Sequence, residues 1–321
     1  MEKIRVGVVG VGYLGRFHAE KYAHMDDVEL VGVVDKDPGK AQSVAQEFDT
    51  LSFTNHNDLV GKVDAVSVAT QTPYHFDISK DFLENDVDVL IEKPITTTLE
   101  EANTLIGIAD ARGRLIQVGH LERFNPAVIA LEGVINQPMF IESHRLSVYQ
   151  ERGTDVDVVL DLMIHDIDII LNFVKSEVTK IDAVGVSVVS PNIDIANARL
   201  KFANNCVANV TASRISMKAM RKIRIFQKDA YVSVDYANRD TTVVKRGDNN
   251  PSGLIPGMDI NRMNFTQADP LDAELRSFIR CVSKREVPAV SGRDGRNALK
   301  VALSVIDQIR KAKWEKKKDN R

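Results

Sequence analysis

Ionisable residues interrupt an otherwise apolar stretch, VLDLMIHDIDIIL, at residues 159–171. Buried carboxylates and imidazoles are costly unless they are paired, so their presence here needs a reason. The length of the run favours a helix, on which Asp161, His165 and Asp168 share one face while Asp166 points elsewhere. Such a stripe is typical of an internal hydrogen-bond cluster or of a proton-handling site. Asp161 and His165 could also ligate a metal together, but the sequence offers no clear third ligand, so we predict no metal site.

A glycine-rich turn near the N-terminus, GVGYLG, has the G-x-G-x-x-G spacing of dinucleotide-binding sites. It follows a predicted strand and opens a predicted helix, which is the context in which the motif is specific. The first glycine permits a tight turn, the second lets a pyrophosphate approach the backbone, and the third lets the helix pack against the strand. The predicted phosphate-binding loop comprises Gly10, Gly12, Tyr13, Leu14 and Gly15.

Asp35 ends the next predicted strand, ELVGVVD, and lies 20 residues after Gly15, where an acid for the ribose hydroxyls is expected. Its charge should repel a 2′-phosphate, so we expect NAD as the cofactor. Lys36 stands beside it and can soften that preference, which leaves NADP as an alternative. His18, in the following helix, can reach toward the cofactor, but we expect it to be a packed or partly exposed side chain.

Lys93 follows a buried-looking strand, VDVLIEKP, and Pro94 fixes the backbone after it. Because ligands of open α/β sheets bind at the carboxyl ends of the strands, we expect Glu92 and Lys93 on the cofactor side. A partly desolvated lysine near the positive charge of NAD has a lowered pKa. It can then donate a hydrogen bond to a reacting hydroxyl or take part in proton transfer. Without that context, a lysine after a strand is a surface residue.

The elements that must position these residues fall into two parts. The first 120 residues alternate β-rich runs with helical patterns, which argues for parallel βαβ units covered on both faces. After Phe124, seven strand-like runs follow at short intervals, and two helices close the chain from about Pro270. A loop rich in Gly, Pro and Asn is expected at 247–264, and Thr154 with Asp157 is a possible capping box.

The predicted fold is therefore α/β with two domains. We expect an N-terminal Rossmann domain with a doubly wound parallel sheet at residues 1–121. A C-terminal α/β domain with a large open, mainly antiparallel sheet is expected at residues 122–321, because several of its runs alternate apolar and polar residues.

Composition excludes some classes of protein. The formal net charge of −3 gives no strong attraction to nucleic acid or to an anionic membrane. The two cysteines, Cys206 and Cys281, are far apart, so neither a disulfide framework nor a metal-ligand spacing follows, and a reducing cytoplasm is the default. No uninterrupted apolar run approaches the ~18 residues that a membrane helix needs. We expect a cytoplasmic protein with no nucleic-acid or membrane partner.

The motifs resemble those of the glucose–fructose oxidoreductase and inositol dehydrogenase family (Gfo/Idh/MocA). The resemblance spans nearly the whole chain and rests on the glycine-rich loop and on four further segments, in the family's order: ATQTPYHFD, EKP, GHLERFNPA and DLMIHDID. It implies a Rossmann domain followed by an α/β domain whose open sheet is often used in oligomer formation. A homodimer or homotetramer is therefore expected.

The resemblance also implies roles for individual residues. Lys93, Asp161 and His165 match the family's catalytic lysine, aspartate and histidine. The loop beside the cofactor corresponds to Thr70, Thr72 and His75, and Glu92 and Lys93 are expected near the nicotinamide ribose. Glu122, Arg123 and Asn125, together with Asp161 and His165, are expected to bind the substrate, although many sugar-oxidising members have a basic residue where this chain has Glu122.

Three functions follow from these features. GHLERFNPA and LDLMIHDIDIIL look most like the branch that oxidises the 3-hydroxyl of UDP-N-acetylglucosamine to a ketone. A dehydrogenase of a free sugar, an inositol or a related polyol is the alternative. A nucleotide-sensing protein without chemistry is the third, and the presence of Lys93, Asp161 and His165 argues against it. Arg145, Arg152 and Arg214 suit a diphosphate, although each is more often a surface ion-pair partner.

Overall fold

The computed structural model describes residues 3–149, 156–247, 257–265 and 267–318, with side chains as far as residue 312. Contacts divide the chain into two compact units. The first consists of Met1–Leu121 and Asp269–Asn297, and the second of Glu122–Ala268 and Ala298–Arg321. The second unit is smaller than the predicted domain 122–321, because residues 269–297 belong to the first unit. They pack with the first sheet, where Leu275 and Phe278 are part of the hydrophobic core.

The first unit contains a six-stranded parallel sheet with the strand order β3-β2-β1-β4-β5-β6. This is the order of a doubly wound dinucleotide-binding fold, which binds its ligand in the crevice at the carboxyl ends of β1 and β4. The predicted Rossmann sheet is thus confirmed. Its strands are β1 (Ile4–Val9), β2 (Val28–Val34), β3 (Leu51–Phe53), β4 (Ala65–Val68), β5 (Asp88–Glu92) and β6 (Ile116–Gly119).

The helices of this unit begin and end at residues suited to those positions. Pro38 is the first residue of its helix, and the Asp37 side chain accepts hydrogen bonds from the next two free N–H groups. Thr98 and Glu101 form a reciprocal capping box, which typically contributes about 1 kcal/mol. The helices are α1 (Tyr13–Ala23), α2 (Pro38–Glu47), α3 (His75–Glu84), α4 (Leu99–Arg112) and α7 (Pro270–Lys284).

The second unit contains an eight-stranded sheet in the order β14-β13-β12-β11-β7-β10-β9-β8. Every neighbouring pair is antiparallel except β7 and β10, so the predicted mainly antiparallel sheet is confirmed. The strands are β7 (Phe140–Leu146), β8 (Val178–Val186), β9 (Ile195–Phe202), β10 (Val207–Ser213), β11 (Met220–Phe226), β12 (Ala230–Asp235), β13 (Asp240–Arg246) and β14 (Met258–Asn264).

One face of this sheet carries the core of the second unit. In β9, Ala196, Ala198, Leu200 and Phe202 are buried, and the residues between them are exposed, as the alternating sequence predicts. The buried face packs with α6 (Ile164–Val174) and with the part of α8 (Gly292–Lys318) that begins at Ala298. A short helix, α5 (Pro126–Ile129), also joins this core.

Two expectations about loops were wrong or fall outside the described residues. Met258–Asn264 is an edge strand rather than part of a loop. It was not predicted because its many polar residues are typical of a loop, although it pairs with β13. Thr154 lies outside the described residues. The Asp157 carboxylate accepts a hydrogen bond from the N–H of Ile193 and pairs with Arg310.

Candidate active site

The glycine-rich loop has a backbone that only glycine can provide at two positions. Gly10 has φ +86°, and an added Cβ there would lie 2.7–2.9 Å from atoms of Thr70. An added Cβ at Gly15 would lie 1.8 Å from the carbonyl oxygen of Gly10. The loop is therefore folded tightly between β1 and α1, as the predicted turn requires.

The N-terminus of α1 is open where a phosphate would approach. Gly12 is the N-cap residue, it has no side-chain cap, and no atom lies within 4 Å of the place where its Cβ would be. The first turn carries no acidic residue, so its free N–H groups and the helix dipole favour an anion. Tyr13 is exposed and Leu14 is partly exposed beside this end. These features fit the pyrophosphate of NAD.

Asp35 is held at the carboxyl end of β2 by two backbone donors. Its Oδ2 accepts from the N–H of Val11 at 3.1 Å, and its Oδ1 accepts from the N–H of Asp37 at 3.0 Å. The carboxylate lines a cavity of about 380 Å³ at the ends of β1, β2 and β4. Among the other residues lining this cavity are Gly10, Gly12, Lys36, Lys40, His56, Thr70 and Tyr74. The position fits the ribose of the cofactor's adenosine half.

Thr70, Thr72 and His75 lie on the connection from β4 to α3, but they differ in what they can contact. Thr70 lines the cavity, and Thr72 opens a 3₁₀ turn at Thr72–Tyr74. His75 is buried, with its ring nitrogens 2.9 Å and 3.0 Å from the carbonyl oxygens of Pro94 and Thr70. Burial lowers the pKa of His75, so the neutral ring donates to one of these carbonyls. Its side chain is therefore packed between the ends of β4 and β5 and bonds to one of them.

Glu92 ends β5, and Lys93 follows it with a partly exposed side chain. The Glu92 carboxylate turns into the core, where its Oε1 lies 3.3 Å from Nε2 of His18. His18 is fully buried, in agreement with the expectation of a packed side chain. The Lys93 side chain stands at the carboxyl end of a central strand, where the topology places ligands.

In the second unit, the polar stripe lies where a π-helical turn, Val159–Met163, runs directly into α6. Asp161 lies in the π-helical turn and His165 in the first turn of α6, and both are partly exposed. Asp166 and Asp168 are buried. π turns are rare and frequently occur at functional sites. Of the four ionisable residues, Asp161 and His165 are thus the two with accessible side chains.

The buried aspartates of α6 are bound to neighbouring elements. Asp166 accepts hydrogen bonds from Ser143 and from Nε of Arg145, each at 2.5 Å, and so attaches α6 to β7. Burial opposes the charge of Arg145, but Asp166 and Glu122 outweigh it and raise the pKa of the guanidinium. Asp168 lies 3.9 Å from Nη1 of Arg123. Arg145 is therefore a buried ion-pair partner and not the surface residue that was expected.

The predicted substrate residues belong to the same ionic network. Glu122 accepts from Nη1 of Arg145 at 2.9 Å, and Nδ2 of Asn125 donates to Glu122 at 3.0 Å. Burial disfavours the Glu122 carboxylate, but the charge of Arg145 and the hydrogen bond from Asn125 lower its pKa. Glu122 and Arg123 are partly exposed, whereas Asn125 is buried and caps α5 through the N–H of Ala127. Arg214 is also buried, and Arg152 lies outside the described residues.

The described residues contain neither a metal-binding cluster nor a membrane-spanning helix. Within the described ranges, no group of three or more His, Cys, Asp or Glu side chains could hold a metal ion. Among the helices that the structure describes, none is long and apolar enough to cross a membrane. Cys206 and Cys281 are both free and buried.

Comparison with known proteins identifies the family. Residues 4–120 match the GFO_IDH_MocA model, an oxidoreductase family with an NAD-binding Rossmann fold, and residues 128–232 match the GFO/IDH/MocA C-terminal domain. UDP-N-acetylglucosamine 3-dehydrogenase of Acidithiobacillus ferrooxidans is 38% identical over 306 residues, which is 95% of this chain and 97% of that protein. The chain belongs to the GFO/IDH/MocA oxidoreductase family. It is an NAD-binding dehydrogenase.

Solved structures agree with this assignment. A structure of the A. ferrooxidans UDP-N-acetylglucosamine 3-dehydrogenase has a TM-score of 0.91 at 37% identity and covers 96% of this chain and 98% of its own. A more distant relative by sequence, scyllo-inositol 2-dehydrogenase (NAD(+)) of Bacillus subtilis, is 24% identical over 96% of this chain and 94% of its own. As a member of the GFO/IDH/MocA family, the chain uses NAD, and its glycine-rich loop and Asp35 have the geometry to hold it.

In each of the two units, sequence reasoning missed buried residues that the structure describes. Glu274 in α7 is fully buried, and Tyr236 packs with its ring 5.4 Å from the Arg145 guanidinium. Glu274 lies four residues before Phe278 and seven before Cys281, so its helical spacing with apolar residues is the signal that could have marked it as buried. Arg145 was singled out only as a basic residue, since its partners Asp166 and Glu122 are distant in sequence.

Proposed function

We propose that the protein oxidises the 3-hydroxyl of UDP-N-acetylglucosamine to the 3-keto sugar with NAD as the oxidant. The observation that carries this is the 38% identity to a UDP-N-acetylglucosamine 3-dehydrogenase along 95% of the chain. That similarity includes both units and is higher than the 24% identity to an inositol dehydrogenase over a comparable length.

The Rossmann residues would hold the cofactor. Gly12 and the first N–H groups of α1 bind the pyrophosphate, while Asp35 binds the ribose hydroxyls and disfavours a 2′-phosphate. Thr70 forms the adjoining wall, Thr72 begins the turn that follows it, and buried His75 packs beneath that loop. Bound NAD supplies the acceptor for the hydride that leaves the carbinol carbon.

Lys93, Asp161 and His165 handle the proton of the hydroxyl. His165 accepts it, Lys93 stabilises the developing alkoxide, and Asp161 orients His165 or relays the proton. The accessibility of Asp161 and His165, beside two buried aspartates of the same helix, supports this division. Lys93 as the base, with His165 in a supporting role, is the alternative assignment.

Glu122 and Arg123 contact the sugar from the second unit. Both are partly exposed, and Asn125 and Arg145 hold Glu122 from the buried side. Because Glu122 is a partly exposed carboxylate, it accepts hydrogen bonds from hydroxyl or amide groups of the substrate.

Lys93→Met and His165→Ala test the chemistry. Each should reduce kcat by about 10²–10⁴, the usual contribution of a positioned acid–base group, while NAD still binds. Asp182→Asn, an exposed change on β8, is the matched control and should leave kcat unchanged. Near-normal turnover in both Lys93→Met and His165→Ala would contradict the mechanism.

A dehydrogenase of free sugars or inositols is the second candidate, because inositol 2-dehydrogenases are also relatives; that of Rubrobacter xylanophilus is 31% identical over 58% of this chain. A panel of UDP-sugars, free sugars and inositols with NAD and NADP separates the two through the absorbance of the reduced cofactor. Turnover of inositols alone would remove the UDP-sugar assignment.

A homodimer or homotetramer in the cytoplasm completes the proposal. The outer face of the second sheet exposes Val184 and Val186 on β8 and stacks Phe140 on Phe226 at a centroid distance of 5.7 Å. Apolar side chains on a sheet face suit association with a second copy. Light scattering after size exclusion should give a mass of two or four chains, and Val184→Lys with Val186→Lys should reduce it.

A further inference from the structure

Three ionisable side chains are buried in the core of the first unit, and one of them, Glu92, directly precedes Lys93. His18 comes from α1, Glu92 from the end of β5 and Glu274 from α7, with 0%, 8% and 0% of their surface exposed. Their burial requires a compensating arrangement, because an isolated charge in such a core would be neutralised.

Glu92 is held on both carboxylate oxygens. Its Oε1 lies 3.3 Å from Nε2 of His18, and its Oε2 accepts a hydrogen bond from the backbone N–H of Lys93 at 3.2 Å. The carboxylate also occupies the place of a side chain on β6, since an added Cβ at Gly119 would lie 2.8 Å from its carbon. The carboxylate is therefore held between α1, β6 and the backbone N–H of Lys93.

The cluster carries one carboxylate charge and not two. Burial raises the pKa of Glu92, but the neighbouring His18 ring, the charge of Lys93 and the backbone N–H of Lys93 outweigh it and lower the pKa. Burial and the charge of Glu92 raise the pKa of Glu274 well above its usual value. Neither oxygen of Glu274 has a hydrogen-bond partner among the residues that the structure describes, as suits a neutral acid. Tyr22, the other titratable side chain facing Glu274 in this core, donates to or accepts from Ser67.

We propose that Glu92, held next to His18, is a positioning residue for Lys93: its buried carboxylate accepts a hydrogen bond from the backbone N–H of Lys93 and keeps one negative charge on the residue that precedes the lysine. This charge favours the ammonium form of Lys93 and fixes the backbone from which its side chain extends. The inference rests on the proposed role of Lys93 in the oxidation.

The direct test is the pH dependence of Lys93 labelling by an amine-reactive reagent, read by peptide mass spectrometry without substrate. Glu92→Gln keeps the shape but removes the charge, so the labelling midpoint should fall by about one pH unit, as expected for loss of a nearby opposite charge. His18→Phe keeps an aromatic ring but removes the side chain next to Glu92 Oε1, so the carboxylate is no longer held in place and the midpoint should move in the same direction by a smaller amount.

A double mutant shows whether His18 affects the labelling midpoint of Lys93 through Glu92 or independently of it. In the Glu92→Gln background, His18→Phe should cause no further shift, because its route to Lys93 is already removed. Tyr22→Phe changes the same helix and core without touching Glu92, and Glu274→Gln replaces a neutral acid by a neutral amide. Both controls should keep the wild-type midpoint, and thermal unfolding with NAD binding checks that every variant is folded.

An unchanged labelling midpoint of Lys93 in folded Glu92→Gln would overturn the proposal. So would a His18→Phe shift that is equally large in the wild-type and in the Glu92→Gln background. A shift in Glu274→Gln would show that Glu274 is charged and contradict the single-charge cluster. When a substrate is turned over, the pH profile of kcat/KM should move to lower pH in Glu92→Gln. Absence of turnover with every sugar would contradict the proposed function alone, because the labelling test does not depend on it.

Discussion

At the scale of single residues, the site depends on where side chains are absent as much as on where they are present. A side chain at Gly10 would collide with Thr70, and a side chain at Gly15 would collide with the carbonyl oxygen of Gly10. A side chain at Gly12 would instead point into open space. The sequence predicts these three roles because the motif is local. It does not predict that Glu92 turns inward to His18, since that contact depends on α1 and β5 packing together.

Gly12→Ala tests the phosphate-binding loop. Its φ of −67° suits alanine, so folding should be unchanged, but the methyl group would occupy the approach of the pyrophosphate. We expect NAD to bind at least about tenfold more weakly, a loss of about 1.4 kcal/mol. Gly107→Ala in α4, also beside open space, is the matched control and should stabilise the fold by about 0.5–1 kcal/mol without changing NAD affinity. Calorimetric titration that gives equal NAD affinities for both variants would remove Gly12 from the site.

At the scale of elements, buried ionic groups fix how helices meet sheets. Asp166 attaches α6 to β7 through Ser143 and Arg145, and this sets the rotation of the helix that presents His165. The spacing of the stripe predicted that Asp166 would point away from His165. The π-helical turn that carries Asp161 could not be predicted, because it depends on packing and has no clear sequence signal.

Asp166→Asn should therefore destabilise the protein. Without this carboxylate, only Glu122 among the described residues balances the positive charge of the buried Arg145. Breaking a buried ion pair costs about 3–5 kcal/mol of folding free energy. Asp182→Asn, whose pairing with Lys180 is exposed, should change the free energy of unfolding very little. Urea denaturation measures both, and similar midpoints for the two variants would show that the Asp166 contacts do not hold α6.

The burial of Glu274, where α7 packs with the first sheet, predicts how the stability of the protein depends on pH. Its folded pKa is raised, so above the unfolded pKa of about 4.3 the folded protein retains a proton that the unfolded chain releases. Stability should therefore fall as pH rises from that value toward the folded pKa, by up to about 1.4 kcal/mol per pH unit from this group. Glu274→Gln removes this contribution, and its advantage in unfolding temperature should grow between about pH 5 and pH 8. An advantage that is constant with pH would contradict a protonated Glu274.

At the scale of the whole molecule, patterning predicts the elements better than their connections. The alternation of strands with helices predicts the parallel sheet, and the alternating residues of β9 predict the open one. The return of residues 269–297 to the first unit and the parallel pair of β7 and β10 depend on long-range packing, so no local pattern indicates them. Among the site residues, the glycines and Asp35 follow from spacing, and the polar stripe and the position after β5 single out Asp161, His165 and Lys93, but assigning catalytic roles to these three needed the resemblance to a family.

The most direct test of the central claim uses UDP-N-acetylglucosamine that carries deuterium on carbon 3 of the sugar ring. After reaction with NAD, mass spectrometry of the reduced cofactor should show the deuterium, and the product should have lost it together with one further hydrogen. UDP-N-acetylglucosamine labelled on carbon 4 is the control and should keep its label. Reduction of NAD without transfer from carbon 3, or no reduction with this substrate while an inositol reacts, would contradict the account.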